Sequence, residues 1–536
     1  MSPHVTDQDQ RDRALNPACS FLVQAPAGSG KTELLIQRYL ALLPLVDQPE
    51  EILAITFTRK SAAEMRQRIH QALVRANRGE TAEAPHERLT LQLARQALQR
   101  NREMEWDLLA GSTRLKVQTI DSLCAGLVRQ MPVLSQFGYQ PAIAGDPEEL
   151  YLQAARETLE ELDSGQSWSE SVTALVRHLD NDLERIARLI AAMLGKRDQW
   201  LRHVAGTGSA EADREGLESA LTDAVREGVA ACRRAFPVNL RNHLREVATY
   251  AGNNLAEEDP ESHIAALASG GDPFSGDEAD HGLWLGLTEL LLTKQGQWRK
   301  SASKNIGFPA PSKAGSADEA GARQSGKDSF NRLLEELSSH PRIRHLLQEV
   351  RCLPQTAYSE EQWSILQALL QILKLAAAQL QLVFRAKGEV DFQEISLRAL
   401  QALGDPQDPT DLTLALDYRL SHILIDEFQD TSISQFELLQ RLTAGWQPDD
   451  GRTLFAVGDP MQSIYLFRDA EVGLFLRSRD RGLGQIRPEF LTLEANFRSS
   501  REVVDWINHT FSRVMPASAD EEDEVSGRIA YSPSMG

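Results

Sequence analysis

A run of small residues that ends in a lysine and a threonine is the part of the sequence best suited to binding phosphate. It reads Ala-Pro-Ala-Gly-Ser-Gly-Lys-Thr, and it lies between an apolar run and a helical pattern. Small residues let backbone N–H groups approach phosphate oxygens, and a helix that begins there adds the positive end of its dipole. At this spacing Lys31 reaches the outer phosphates of a nucleotide, and the Thr32 hydroxyl can bind Mg²⁺. The predicted phosphate contacts are Ala25, Pro26, Ala27, Gly28, Ser29, Gly30, Lys31 and Thr32.

Two adjacent carboxylates could supply the metal and water side of the same chemistry. Asp426 and Glu427 directly follow the apolar run Ile423–Ile425, which is typical of a buried strand. At the tip of that strand Asp426 would hold Mg²⁺, and Glu427 would polarise the water that attacks the γ-phosphate of ATP. The alternative is a pair of acidic residues at a solvent-facing strand end, which is common in proteins.

Short apolar runs rich in branched residues, most of them followed by a helical pattern, must position these groups. The runs are Phe21–Val23, Ile52–Phe57, Val117–Thr119, Ile423–Ile425, Leu454–Val457 and Phe490–Leu493. Strands that alternate with helices predict a parallel sheet with helices on both faces. The runs form two blocks, about residues 20–130 and 415–510, so an insert interrupts the sheet domain. Ala25 stands where the general phosphate-binding pattern has glycine, and we expect it to end a strand and to need no positive φ.

The stretch between the two blocks has the spacing of helices. Apolar residues recur at three- and four-residue steps in Tyr151–Leu162, Leu183–Leu194 and Glu360–Phe384, which predicts amphipathic helices. Two segments, 251–282 and 299–329, are rich in Gly, Ser, Pro, Ala and charge, and we expect flexible surface loops there.

Composition limits the function classes. A net charge of −20 argues against a nonspecific polyanion binder but allows one groove lined with arginine. The four cysteines are far apart and have no histidine partners, so we expect reduced thiols rather than disulfides or a zinc site. His422 is expected to be structural. The polar N-terminus and the lack of a long uninterrupted apolar run predict a cytoplasmic protein with no membrane partner.

Six blocks in chain order, besides the phosphate-binding run, resemble motifs of the UvrD/Rep/PcrA family of superfamily 1 DNA helicases. The blocks are Gln10, Thr56–Met65, Thr119–Cys124, Asp426–Thr431, Val457–Arg468 and Leu493–Ser500. Two residues depart from the family pattern: Asp121 replaces a histidine, and Phe467 stands where many relatives have tryptophan.

This resemblance implies roles for single residues. Gln10 would read adenine, Gln462 would sense the γ-phosphate, and Arg498 would reach that phosphate as an arginine finger. The implied catalytic set is Lys31, Asp426, Glu427, Gln462 and Arg498, with Mg²⁺ on Thr32 and Asp426. The implied DNA contacts are Phe57, Thr58, Arg59, Thr119, Tyr465, Phe467 and Arg468. The alternatives are core packing for the two phenylalanines and a surface loop position for Arg498.

Within that family the large insert and the strings Met193–Trp200 and Val390–Phe392 resemble the AddA/RecB branch of helicase-nuclease subunits. This resemblance implies single-stranded DNA and duplex DNA ends as substrates, a role in double-strand-break repair and recombination, and a RecC- or AddB-like partner.

The expected fold is α/β: a P-loop NTPase domain with a RecA-like parallel sheet, a large and mostly helical inserted domain, and a truncated start of a second RecA-like domain. The expected bounds are 1–140 and 389–486 for the first RecA-like domain, 141–388 for the insert and 487–536 for the start of the second. The later family motifs are not found before the last residue, Gly536, so the chain is either part of a longer helicase or a naturally short form. The implied function is an ATP-dependent 3′→5′ DNA helicase; the alternative is a nucleotide- and DNA-binding scaffold without productive unwinding.

Overall fold

The computed structural model describes residues 6–130, 141–204, 210–269, 272–274, 280–405, 408–463, 471–515 and 529–536. The chain forms two compact units. Unit 1 comprises Met1–Ala205 and Leu370–Gly536, and unit 2 comprises Gly206–Leu369. The domain bounds expected from the sequence remain a prediction beside these units.

A parallel sheet lies at the centre of unit 1. Its strands are β1 (Phe21–Gln24), β2 (Ile52–Thr56), β3 (Lys116–Thr119), β8 (His422–Ile425), β9 (Thr453–Gly458) and β10 (Glu489–Thr492). The strand order is β10-β1-β9-β8-β2-β3, and every neighbouring pair is parallel. Two short pairs lie outside this sheet: β4 (Ala142–Ile143) with β5 (Glu389–Val390), and β6 (Gly404–Asp405) with β7 (Asp408–Pro409). The predicted parallel sheet is confirmed, and each predicted strand differs from the observed one by at most one residue at either end.

Helices make up most of the remaining described structure. They are α1 (Gln8–Ala14), α2 (Lys31–Leu42), α3 (Arg59–Asn77), α4 (Pro85–Glu103), α5 (Ile120–Gln130), α6 (Pro147–Glu160), α7 (Ser169–His178), α8 (Leu183–Leu194), α9 (Arg197–Val204), α10 (Ala210–Ala235), α11 (Val238–Ala256), α12 (Asp280–Leu291), α13 (Ala317–Ser338), α14 (Pro341–Val350), α15 (Glu360–Lys387), α16 (Phe392–Leu403), α17 (Asp411–Asp417), α18 (Ile433–Leu442), α19 (Gly473–Arg481) and α20 (Arg501–Phe511). The helices predicted at Tyr151, Leu183 and Glu360 are confirmed as α6, α8 and α15.

The sheet is fixed to the segment that precedes it by one buried arginine. Arg38 of α2 donates hydrogen bonds to the carbonyls of Ala14 (3.0 Å) and Cys19 (2.8 Å), and its guanidinium lies over the rings of Phe21 and Phe455. Backbone carbonyls that would otherwise be unsatisfied are thereby paired inside the core. This contact sets where β1 begins, and β1 leads directly into the phosphate-binding run.

Unit 2 contains segments for which the sequence prediction was wrong. Most of 251–269 and 299–329 is ordered rather than loop-like: Ile264, Leu267, Ile306 and Phe308 are buried in the core. Glycine is needed there for close packing, since a Cβ on Gly307 would lie 2.2 Å from the carbonyl oxygen of Ala251. A composition that predicted flexibility therefore reflects tight backbone contact. Residues 270–271 and 275–279 lie outside the described residues.

Helix α15 meets the length and composition criteria for crossing a membrane, with a mean hydropathy of 1.4, and it is the one helix of the described chain that does. Core helices of soluble proteins meet the same criteria. The buried residues of α15, among them Ile372, Ala376 and Leu380, recur at helical spacing along one stripe.

The two strings that resemble the AddA/RecB branch meet in a buried ion-pair cluster of unit 1. Arg197 donates to both carboxylate oxygens of Asp391 (2.5 and 2.7 Å) and to Glu394 (3.2 Å), and Tyr151 donates its hydroxyl to Asp391. Burial alone would raise the pKa of Asp391, but the Arg197 charge and hydrogen bonds hold it below its ordinary value. Residues 194 positions apart in the chain thus join α9 to the start of α16.

The buried His422 of β8 predicts an acid-dependent loss of stability. Its Nδ1 lies 2.8 Å from Thr453 Oγ1, and burial, followed by the Arg38 charge, lowers its pKa from 6.5 to about 4. Between these values the unfolded chain binds a proton that the folded chain does not. The free energy of unfolding should therefore fall as the pH drops from 6.5 towards 4, by up to about 1.4 kcal/mol per pH unit.

Urea unfolding from pH 4.5 to 7.5 measures this effect, with His422→Gln compared with wild type. The exposed His178→Gln variant serves as the matched control and should keep the wild-type slope. An unchanged slope in His422→Gln would show that other groups cause the acid sensitivity.

The cysteine prediction is confirmed, because all four cysteines are free. Burial raises the pKa of Cys124 and of Cys232 to about 12, so neither thiol ionises near neutral pH.

Candidate nucleotide site

The glycine loop, residues 25–30, joins the carboxyl end of β1 to the first turn of α2. Its start is held to the sheet by the Ala25 N–H, which donates to the carbonyl of Gly458 (2.9 Å). Gly28 (φ +80°) and Gly30 (φ +83°) adopt the left-handed conformation that favours glycine. Ala25 has no positive φ, as expected for a residue that ends a strand.

One buried hydroxyl of the glycine loop fits a phosphate. Ser29 is fully buried, and its Oγ has no hydrogen-bond partner within the described chain. An unsatisfied buried hydroxyl costs about 1–3 kcal/mol, and a phosphate oxygen is an acceptor that would remove this cost. The loop therefore meets the requirement for an anion with a polar atom already directed into the protein.

Lys31, the first residue of α2, makes an ion pair across the sheet. Its Nζ lies 3.0 Å from Glu427 Oε2, although the two residues are 396 positions apart. The lysine side chain is 12% exposed and the glutamate 38%. Glu427 has φ +53°, a conformation that costs a non-glycine residue about 1–2 kcal/mol. Such strain is typical of residues held in place for function.

Asp426 ends β8 beside this pair and carries the least favourable charge of the site. Burial, followed by the Glu427 charge, raises the pKa of Asp426 to about 7, and the Lys31 charge opposes that rise. A buried carboxylate near a second carboxylate gains from a divalent cation, so these residues fit Mg²⁺. In the described chain no group of three or more His, Cys, Asp or Glu side chains could hold a metal. This agrees with a Mg²⁺ ion that takes one or two protein ligands and fills its other positions with phosphate oxygens and water.

A chain of hydrogen bonds leads from Glu427 to Gln462. Gln429 donates to Glu427 (2.9 Å) and accepts from the Asp459 N–H (2.9 Å). Gln462 donates in turn to the Asp459 carboxylate, whose pKa is raised by burial. The segment that follows, residues 464–470, contains the predicted DNA contacts Tyr465, Phe467 and Arg468, and it lies outside the described residues.

The segment before and including Arg498 lies directly on the glycine loop. Asn496 Nδ2 donates to the Ala27 carbonyl (3.0 Å), and the Phe497 N–H donates to the Gly28 carbonyl (2.8 Å). A Cβ on Gly28 would be 2.8 Å from Arg498 Cβ, so only glycine allows this approach. The Arg498 side chain itself is exposed. The structure thus brings the backbone of Arg498, although not its guanidinium, to the predicted phosphate site.

Sequence reasoning missed Phe497, which lies between two residues that were singled out. Its ring is 61% exposed, and the Arg11 guanidinium lies 5.1 Å from the ring centre. Gln10, the predicted adenine reader, is partly exposed on the same helix as Arg11. An exposed aromatic ring inside a recognised block could have been noticed, but its place beside Gly30 depends on tertiary contacts.

The remaining predicted DNA contacts lie at the carboxyl ends of two neighbouring strands. Thr58 accepts from the Ser61 N–H (3.0 Å) at the start of α3, and Thr119 accepts from the Ser122 N–H (3.2 Å). Arg59 is exposed, whereas Phe57 is only 8% exposed, so core packing accounts for most of its ring. Phe57 also lines a cavity of about 690 Å³ in unit 1.

Known proteins similar to this chain agree with the motif resemblance. A family model described as the UvrD/REP helicase N-terminal domain matches residues 6–481. The chain is 28% identical over 529 residues to the AddA subunit of the ATP-dependent helicase/nuclease of Desulfitobacterium hafniense (strain DSM 10664 / DCB-2), covering 94% of this chain and 35% of that protein.

Two further relatives bear the same name. The protein of Lysinibacillus sphaericus (strain C3-41) is 27% identical over 521 residues, covering 92% of this chain and 38% of the relative. That of Geobacillus kaustophilus (strain HTA426) is 27% identical over 534 residues, covering 94% and 39%. The resemblance to the AddA branch is confirmed, and the chain spans little more than a third of the length of these relatives.

Proposed function

The chain belongs to the UvrD/REP helicase N-terminal domain family, and from that premise we propose that it is the ATP-binding half of an ATP-dependent DNA helicase that moves 3′→5′. One observation carries the proposal: the Lys31–Glu427 contact of 3.0 Å joins the glycine loop to the acidic end of β8. That contact is formed without a nucleotide, so the groups that would bind phosphate and orient water are already in place. Enzymes that transfer phosphoryl groups act mainly through such positioning and charge.

The residues of the site would divide the work of hydrolysis. Lys31 and the backbone of the glycine loop bind the phosphates, and Ser29 donates its unpaired hydroxyl to one of them. Mg²⁺, held by Thr32 and Asp426, would neutralise charge that develops on the phosphates. Glu427 leaves Lys31, orients the attacking water and accepts its proton. Gln462 senses the γ-phosphate, and Arg498 swings from its exposed position towards it.

Single-stranded DNA would cross the carboxyl ends of β2 and β3. Thr58, Arg59 and Thr119 offer donors to phosphates there, and bases could stack on the aromatic residues of 464–470. Because Gln462 lies just before that segment, a change at the γ-phosphate could be transmitted to DNA.

The assignment extends to the architecture and the partners. We take 1–140 and 389–486 as a RecA-like P-loop domain, 141–388 as its insert and 487–536 as the start of a second RecA-like domain. By analogy with the relatives, which are named as ATP-dependent helicase/nuclease subunits, the whole protein would work in the cytoplasm on DNA ends during double-strand-break repair and recombination, with an AddB- or RecC-like partner.

Steady-state ATP hydrolysis by this chain, with and without single-stranded DNA, tests the proposal. Lys31→Ala serves as the blank. We expect Mg·ATP binding and turnover that rises with DNA. Bound ATP without turnover above the blank would favour a scaffold that binds nucleotide without productive movement. No detectable ATP binding would refute the nucleotide site itself.

A further inference from the structure

Asp7, the residue before α1, has a buried carboxylate that the proposed chemistry does not use. It is 4% exposed although it lies near the start of the chain. Its Oδ2 accepts the backbone N–H groups of Glu494 (2.8 Å) and Ala495 (3.0 Å). Both carboxylate oxygens also accept from Arg11 (2.7 and 3.0 Å). These bonds hold the pKa of Asp7 below its ordinary value although burial opposes them.

The two backbone groups that Asp7 holds belong to the segment that leads to Arg498. Within four residues of Glu494 the chain is fixed to the glycine loop through Asn496 and through the Phe497 N–H. Asn496 Oδ1 also accepts the Arg498 N–H (2.9 Å), which turns the backbone at that point. Asp7 is therefore bonded to one end of a short rigid segment whose other end carries Arg498.

Arg11 extends the same contact to the other side of the segment. Its guanidinium, paired with Asp7, lies over the Phe497 ring, and its Nη1 lies 3.7 Å from the position of a Cβ on Gly30. Asp7 and Arg11 thus hold the segment 494–498 by both its backbone and its aromatic side chain. A carboxylate suits this task because it can accept several hydrogen bonds at once, whereas an amide offers a single acceptor oxygen.

We infer that Asp7 is a positioning residue, which acts through the backbone of Glu494 and Ala495 to place Arg498 for contact with the γ-phosphate. The inference rests on the proposed function of the nucleotide site. Asp7 acts on the backbone rather than on the nucleotide, and it sets the distance between the arginine segment and the glycine loop. Its contribution should therefore appear only with nucleotides that carry a γ-phosphate, and only while Arg498 is present.

Affinities for Mg·ATP and Mg·ADP, measured by calorimetry on the full chain, test this inference. For Asp7→Asn we expect about tenfold weaker ATP binding, the effect of one charge-assisted hydrogen bond, and less than about twofold weaker ADP binding. The matched control is Asp9→Asn, an exposed aspartate of α1, which should leave both affinities unchanged.

A double-mutant cycle separates positioning from a loss of folding. In the Arg498→Ala background Asp7→Asn should have no further effect on ATP affinity, because the group it positions is gone. If Asp7→Asn fails to fold, Arg11→Lys gives the same test, since lysine cannot pair with both oxygens of Asp7 in one plane. It should weaken ATP binding more than ADP binding, again only with Arg498 present.

The outcomes distinguish the role of Asp7 from the function of the nucleotide site. Equal losses for ATP and ADP, or a loss that persists without Arg498, would overturn the role of Asp7 and leave the proposed function intact. A wild-type chain that binds neither nucleotide would overturn the proposed function, and the inference with it.

Discussion

A Glu427→Gln variant is expected to bind Mg·ATP at least as tightly as wild type and to hydrolyse it at least about a hundredfold more slowly. The loss follows because an amide cannot accept the proton of the attacking water, and general-base catalysis contributes about 10²–10⁴ in rate. The tighter binding follows because Glu427 pairs with Lys31 at 3.0 Å in the absence of nucleotide. A glutamine competes less strongly with phosphate for that lysine.

Single-turnover hydrolysis and equilibrium ATP binding should be measured on the same preparation. The exposed Glu361→Gln, on α15, is the matched control for loss of one carboxylate and should keep wild-type turnover. Unchanged turnover in Glu427→Gln would remove this residue from its role and leave Asp426 as the candidate base.

The Lys31→Ala variant is expected to lose nearly all Mg·ATP affinity, by about a hundredfold or more, while the fold remains stable. Lys31 is a cation at the start of α2, next to the glycine loop, and charged hydrogen bonds to phosphate are among the strongest in proteins. Its partner Glu427 is more than a third exposed, so loss of the ion pair should change the free energy of unfolding by less than about 1 kcal/mol.

Nucleotide binding and urea unfolding together distinguish these effects. An alanine at Lys313, an exposed lysine of unit 2, controls for the loss of one positive charge. Wild-type ATP affinity in Lys31→Ala would exclude the glycine loop as the phosphate site. A large loss of stability would mean that the ion pair holds the fold rather than the ligand.

The sequence was sufficient to predict elements whose signal is local. Branched apolar runs predicted each strand of the sheet to within one residue, because a buried parallel strand needs apolar residues on both faces. The order of strands and helices then required that the glycine loop, Asp426 and Gln462 meet at the carboxyl ends of parallel strands. Lys31 and Glu427 do meet there, at 3.0 Å.

Composition was a poor guide to segments 251–282 and 299–329. Glycine and alanine are typical of flexible loops, but they are also the residues that allow two backbones to approach closely. Gly307 serves the second purpose, against Ala251 of α11. Nothing local distinguishes these two uses of glycine, since the difference lies in what packs against it.

Only the tertiary structure could decide which distant groups satisfy one another. The Arg197–Asp391 pair, the hold of Asp7 on Glu494 and Ala495, and the place of Phe497 beside Gly30 each join residues 194 to 488 positions apart, counting Arg197 to Asp391 at one extreme and Asp7 to Ala495 at the other. The sequence by itself determined which residues could bind phosphate and metal, because those roles depend on side-chain chemistry and local spacing. Where each buried charge finds its partner depends on chain folding over long separations, and one carboxylate near the start of the chain could be assigned to the arginine segment only from its contacts.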